Sequence, residues 1–94
     1  MKKIRIKDGF LLREMAGEYI VIPVDEAREY FSGMIQLNAV GAFLWNICSD
    51  GTTIEQMSEA LIEKYDVGRQ EAECDARNFV VQLKQKGLLE ETIE

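Results

Sequence analysis

The apolar positions change rhythm along the chain. Over residues 10–23 they form two short runs, "FLLREM" and "EYIVIP", rich in aliphatic, aromatic and β-branched side chains. Ala16-Gly17 stands between the runs, so the stretch predicts a β-hairpin. Pro23 closes its second strand, because proline has no N–H to give to a ladder. "VDEAREYFSG" follows as a polar connection, with Glu26, Arg28 and Glu29 suited to solvent and Tyr30 and Phe31 packing at its end. Residues 34–37, "MIQL", then alternate. Ile35 and Leu37 share one side, Met34 and Gln36 the other, which predicts a strand of only four residues.

From Asn38 the period becomes helical. Asn38 suits an N-cap, since its side-chain oxygen accepts from an orphan N–H of the first turn. The helix predicted over 39–48 carries Ala39, Val40, Phe43, Leu44 and Ile47 on one broad side and Ala42 and Trp45 on another, so little of it faces water. Gly41 costs about 1 kcal/mol against alanine in mid-helix, which predicts that another element comes close there. Asp50-Gly51 stops this helix. Thr52 and Glu55 stand in capping-box register for a second helix, and Ile54, Met57, Leu61 and Ile62 carry it to about Tyr65. After a "DVG" break, a third helix at about 69–86 buries Ala72, Ala76, Phe79, Val80 and Leu83. Gly87 closes it and "LLEETIE" trails off. Three strands followed by three helices predict an α+β fold.

Length and composition sharpen this picture. With 94 residues the chain fits one domain, 1–94, and one modest core. The second helix, its tight break and the third helix suggest a helix-turn-helix, but the net charge of −6 argues against nucleic acid. In that motif the start of the second helix meets the bases. Here it reads "RQEAECD", and Glu71, Glu73 and Asp75 would face a polyanion. Lys2, Lys3, Arg5 and Lys7 weigh the other way, and their plain reading is a solvated first strand or tail. A winged-helix DNA-binding regulator therefore stands as an alternative.

Catalytic chemistry finds little footing. The absence of histidine removes Ser-His-Asp and Cys-His catalysis and His-ligated metals. The glycines fit neither GxxxxGK[ST] nor GxGxxG. Glu59, Glu63 and Lys64 read as a solvated helix face. Cys48 and Cys74 lack CxxC spacing, and without a secretory signal they read as reduced thiols of a cytoplasmic protein. Cys48 reads as a buried small apolar residue, and Cys74, opposite the core stripe, as exposed. No apolar run approaches the ~18 residues of a membrane span. The expectation is a protein without catalysis, metal or cofactor.

The stretch "GMIQLNAVGAFLWNICSDGTTIEQMSEALIEKYDV", with a third helix finishing "FVVQLKQKGLLEE", resembles the PqqD family, that of coenzyme PQQ synthesis protein D. The resemblance covers about residues 8–91. Within it "NAVGAFLWNI" looks like the broad, generic branch of the family more than the members of PQQ biosynthesis pathways. It implies a winged-helix-like domain in which a three-stranded antiparallel sheet precedes three helices. It also implies a recognition element for ribosomally made, post-translationally modified peptides. Such an element binds the leader of a precursor peptide and presents it to a modifying enzyme, often a radical SAM protein. The leader adds as a strand to the third strand and lies against the third helix, with no cofactor or metal held by the domain.

That role explains a four-residue strand. An edge strand offers unpaired N–H and C=O groups to an extended peptide, and a short one is a poor template for aggregation. The expected peptide contacts are the backbone of Met34, Ile35, Gln36 and Leu37 and one flank of the third helix. On that flank Val80 would be an apolar wall, and Arg77 and Lys84 partners for leader carboxylates. The competing readings are an intrahelical Arg77–Glu73 pair and a Val80 that belongs to the core. The exposed edge leaves one more alternative, an oligomerisation module that forms a homodimer through the sheet edge without a peptide ligand.

Overall fold

A two-residue turn sets the first sheet. β2 (Phe10–Met15) and β3 (Glu18–Pro23) pair antiparallel from Phe10↔Pro23 to Met15↔Glu18. Ala16 and Gly17 between them have φ of 53° and 81°, as a type I′ hairpin turn requires. β4 (Ile35–Leu37) pairs antiparallel with the other side of β3, giving the order β2-β3-β4. The expected alternation holds: Ile35 and Leu37 pack against the core, while Met34 and Gln36 are exposed. The computed structural model describes residues 2–31 and 33–93.

Two strands lie outside the expected three-stranded sheet. β1 (Lys2–Ile6) and β5 (Leu89–Ile93) form a second, two-stranded antiparallel sheet, in register from Lys2↔Ile93 to Ile6↔Leu89. The basic start is therefore neither tail nor lone strand, and the C-terminal segment does not trail away. Ile4 and Ile6 alternate into the core, where Leu88 and Leu89 are also buried. Charges pair across the strands on both faces: Arg5 and Glu90 on the outer one, Lys2 and Glu91 at the end of the face that carries Ile4. Lys2 Nζ lies 3.2 Å from Glu91, and Arg5 Nη2 lies 2.9 Å from Glu90. The order is thus β1-β2-β3-α1-β4-α2-α3-α4-β5 rather than three strands and three helices. What stands is an α+β architecture built on a three-stranded antiparallel sheet. The short α1 (Ala27–Tyr30) interrupts the expected polar connection. Phe31 at its end packs edge-on against Phe10, ring centroids 5.3 Å apart; the side chain of Tyr30 lies outside the described residues.

The three long helices fall where the periodicity puts them: α2 (Ala39–Ser49), α3 (Ile54–Tyr65) and α4 (Arg69–Gln85). The α3 capping box lies one residue later than expected. Thr53 Oγ1 accepts from the Gln56 N–H at 3.1 Å, and Gln56 Oε1 accepts from the Thr53 N–H at 3.3 Å. Thr52 is occupied elsewhere, exchanging backbone hydrogen bonds of 2.7 and 2.8 Å with Ile4. That bridge ties β1 to the α2–α3 connection and keeps Thr52 extended. α4 ends in a Schellman motif: Leu88 N–H donates to Leu83 O at 2.9 Å and Gly87 N–H to Lys84 O at 3.1 Å, with Gly87 at φ 78°.

One core joins both sheets and the helices. Val21, Leu44, Trp45, Met57, Leu61, Ala72, Ala76 and Leu83 are all buried in it. Cys48 is fully buried there, its Sγ 3.9 Å from Met57 Sδ. Burial pushes its thiol up to about 12, so it stays protonated and unreactive at neutral pH. Cys74 is exposed, as expected. Among the described residues no helix is long and apolar enough to cross a membrane.

Candidate functional site

Among the described residues β4 has a strand neighbour on one side only. It is three residues long, and β3 takes one of its edges. The other edge borders a groove of about 370 Å³. Gln36, Leu37 and Asn38 form one bank, Asp75, Asn78, Phe79 and Gln82 of α4 form the other, and Val40, Gly41 and Leu44 of α2 lie between. α2 packs against both β4 and α4, which themselves scarcely touch. The groove is the space α2 holds open between a strand edge and a helix.

The junction between β4 and α2 is locally determined. Asn38 Oδ1 accepts the Gly41 N–H at 2.7 Å and so starts α2 directly at the end of the strand. Gly41 sits where the sequence implied a close approach. A Cβ there would lie 3.3 Å from both Asn38 Oδ1 and Leu37 Cβ. Asn38→Ala is expected to cost about 1 kcal/mol of stability, seen as a lower urea midpoint at unchanged m-value.

The structure brings only part of the expected site together. Gln36 and Leu37 line the groove. Ile35 packs against the core beside them, and Met34, 70% exposed, precedes the strand. The three helix residues lie elsewhere. Val80 is 6% exposed and part of the core, its alternative reading. Arg77 borders a separate cavity of about 320 Å³ between α3 and α4, with Ile54, Glu55, Ser58, Arg69 and Glu73. Among the described residues no ion pair joins it to Glu73. Lys84 Nζ lies 3.1 Å from Glu91 of β5. Hydrogen bonds from Lys84, and then from Lys2, hold the Glu91 carboxyl below its ordinary range. Lys84 thus serves the second sheet.

The α4 residues that do line the groove come from the opposite flank. On a helical wheel Asp75, Asn78 and Gln82 fall on one side of the core stripe, and Glu73, Arg77 and Lys84 on the other. Both flanks are polar, and the sequence offers no local signal that one faces the strand edge. The signal that was available is the spacing of Asp75, Asn78 and Gln82 at i, i+3 and i+7 beside Phe79.

The comparisons with known proteins match most of the chain. The family model of coenzyme PQQ synthesis protein D (PqqD) matches residues 18–89, which include β3, β4, α2 and α4. Among solved structures, TbiB1 in complex with the TbiA(beta) leader peptide is 27% identical with a TM-score of 0.72, and the match covers 92% of this chain and 94% of that one. Lasso peptide synthetase B1 complexed with the leader peptide also has a TM-score of 0.72, covering 93% of this chain and 96% of that one. Its identity of 21% makes that likeness one of fold. No curated protein matches the chain.

Proposed function

The chain belongs to the PqqD family, and on that premise we propose that it is a peptide-binding accessory protein that holds the leader of a ribosomally made precursor. The leader enters as a fourth strand on β4 and lies in the groove against α4. The domain presents it to a modifying enzyme of the radical SAM type and performs no catalysis itself. It acts in the cytoplasm as one recognition domain formed by the described residues. The observation that carries this reading is the open edge of β4 facing a groove rather than a packed neighbour. Strand addition needs just that: backbone groups for affinity, and a flanking wall for choice among side chains. The structural relative at 27% identity supports it, since that structure is a complex with a leader peptide.

The test is an amide-shift titration of labelled protein with a precursor peptide encoded by a small open reading frame beside this chain's gene. Expected are saturable shifts at residues 35–38 and at Asp75, Asn78 and Gln82, with Arg77 and Lys84 unmoved. Shifts confined to the α3–α4 cavity around Arg77 would reject the groove. A dimer formed through the same edge would instead show concentration-dependent shifts at β4 without peptide.

A further inference from the structure

The groove also carries a charge preference. Its apolar lining is Leu37, Val40, Leu44 and Phe79, and its polar lining is almost wholly uncharged. Among the described residues Asp75 is the one ionisable side chain lining it, and no cation pairs with it. Glu71 stands one turn earlier on the same exposed flank of α4. The cations on the far flank are out of reach: Arg77 borders the other cavity and Lys84 is engaged by Glu91. The chain as a whole adds a net charge of −6, which favours the approach of a cationic segment over an acidic one.

We propose that the groove selects leader segments in which an apolar anchor is accompanied by a lysine or arginine placed against Asp75. The inference rests on the groove being the leader site, and it reverses the sequence expectation of basic groove residues meeting leader carboxylates. An extended segment alternates its side chains. Those turned toward the groove would supply the anchor for Leu37 and Phe79 and, at the α4 wall, the cation. A leader with a carboxylate at that position would set like charges together in a partly desolvated cleft.

The test is selection from a displayed library of random dodecapeptides, read by sequencing the enriched pools. Wild-type protein is expected to enrich Lys and Arg together with one apolar position. Asp75→Asn should lose the basic preference, and Asp75→Lys should turn it toward Glu and Asp. Glu59→Gln changes the net charge by the same one unit on an exposed helix surface, and should leave the wild-type preference intact. For the most enriched peptide, Asp75→Asn should weaken binding by about two- to fivefold, the range of a partly exposed ion pair. Enrichment of apolar sequences with no charge bias would overturn this inference and leave peptide binding standing. Equal loss of bias in Asp75→Asn and Glu59→Gln would assign the effect to overall charge and overturn it too. Failure of every pool to enrich would overturn the peptide-binding reading and this inference with it.

Discussion

Leu88→Ala is expected to cost about 2–5 kcal/mol of stability, the range for deleting a fully buried leucine side chain. Leu88 has no exposed surface. It follows the last turn of α4, its N–H closing the Schellman motif on Leu83 and its side chain in the same core as Leu83 and Ile4. The motif commonly pairs an apolar residue after the turn with one three or four places before the helix end. Here that pair is Leu88 and Leu83. The side chain thus links α4, β1 and β5, and the cavity left by alanine would border all three. Domains of this kind are stable by about 5–15 kcal/mol, so the loss should move the urea midpoint far while the m-value stays constant. A cost below about 1 kcal/mol would mean that β1 and β5 leave the core in solution, and that the two-stranded sheet contributes little to holding α4 in place.

That second sheet marks the limit of what the sequence reveals. The hairpin and the three long helices are local events. Ala16-Gly17 sets a turn, Asn38 caps a helix, and apolar residues recur at a fixed period over a dozen positions. Each is specified within a few residues. β1 and β5 are specified by tertiary partners, above all one another, across more than eighty residues. "KKIRI" and "LEETI" each carry two apolar residues among polar and charged ones, too few for a periodic signal. Their charges, read alone as solvation, are complementary once paired: Lys2 with Glu91 and Arg5 with Glu90. The shift of the capping box from Thr52 to Thr53 has the same origin, since the Ile4 bridge claims Thr52.

The candidate site divides along the same line. The strand bank was legible because alternation in "MIQL" and the Asn38 cap are local. The α4 bank was not, because a core stripe with two polar flanks looks the same from either side. What breaks the symmetry is tertiary: β5 returns along the end of α4 and takes Lys84, α3 covers the side bearing Arg77, and the side bearing Asp75, Asn78 and Gln82 is left facing β4. Of the two readings of Val80, burial supports the core one for a related reason. On the wheel it adjoins the core stripe on the side that α3 packs against, so it is consumed by the core.

Proline at β4 is the perturbation that separates backbone recognition from side-chain recognition. In an antiparallel pair successive residues turn their N–H and C=O groups alternately toward the neighbour and away from it. Of Ile35 and Gln36, therefore, one serves β3 and the other offers its N–H to the open edge. Proline at the outward position removes a donor that β3 does not use, so the fold should survive with its hairpin and core amide spectrum intact. Peptide binding should fall roughly tenfold, from the loss of a backbone hydrogen bond worth about 0.5–1.5 kcal/mol together with crowding by the ring. Proline at the other position should strike the β3–β4 ladder and lower stability instead. Gln36→Ala, which keeps every backbone group, should change affinity far less than the outward proline. The pair Ile35→Pro and Gln36→Pro thus predicts one binding defect and one stability defect, measured by peptide titration and urea unfolding on the same samples. Both variants folded and both binding as wild type would mean that the peptide is held by the groove walls alone, and β4 would lose its role as a template.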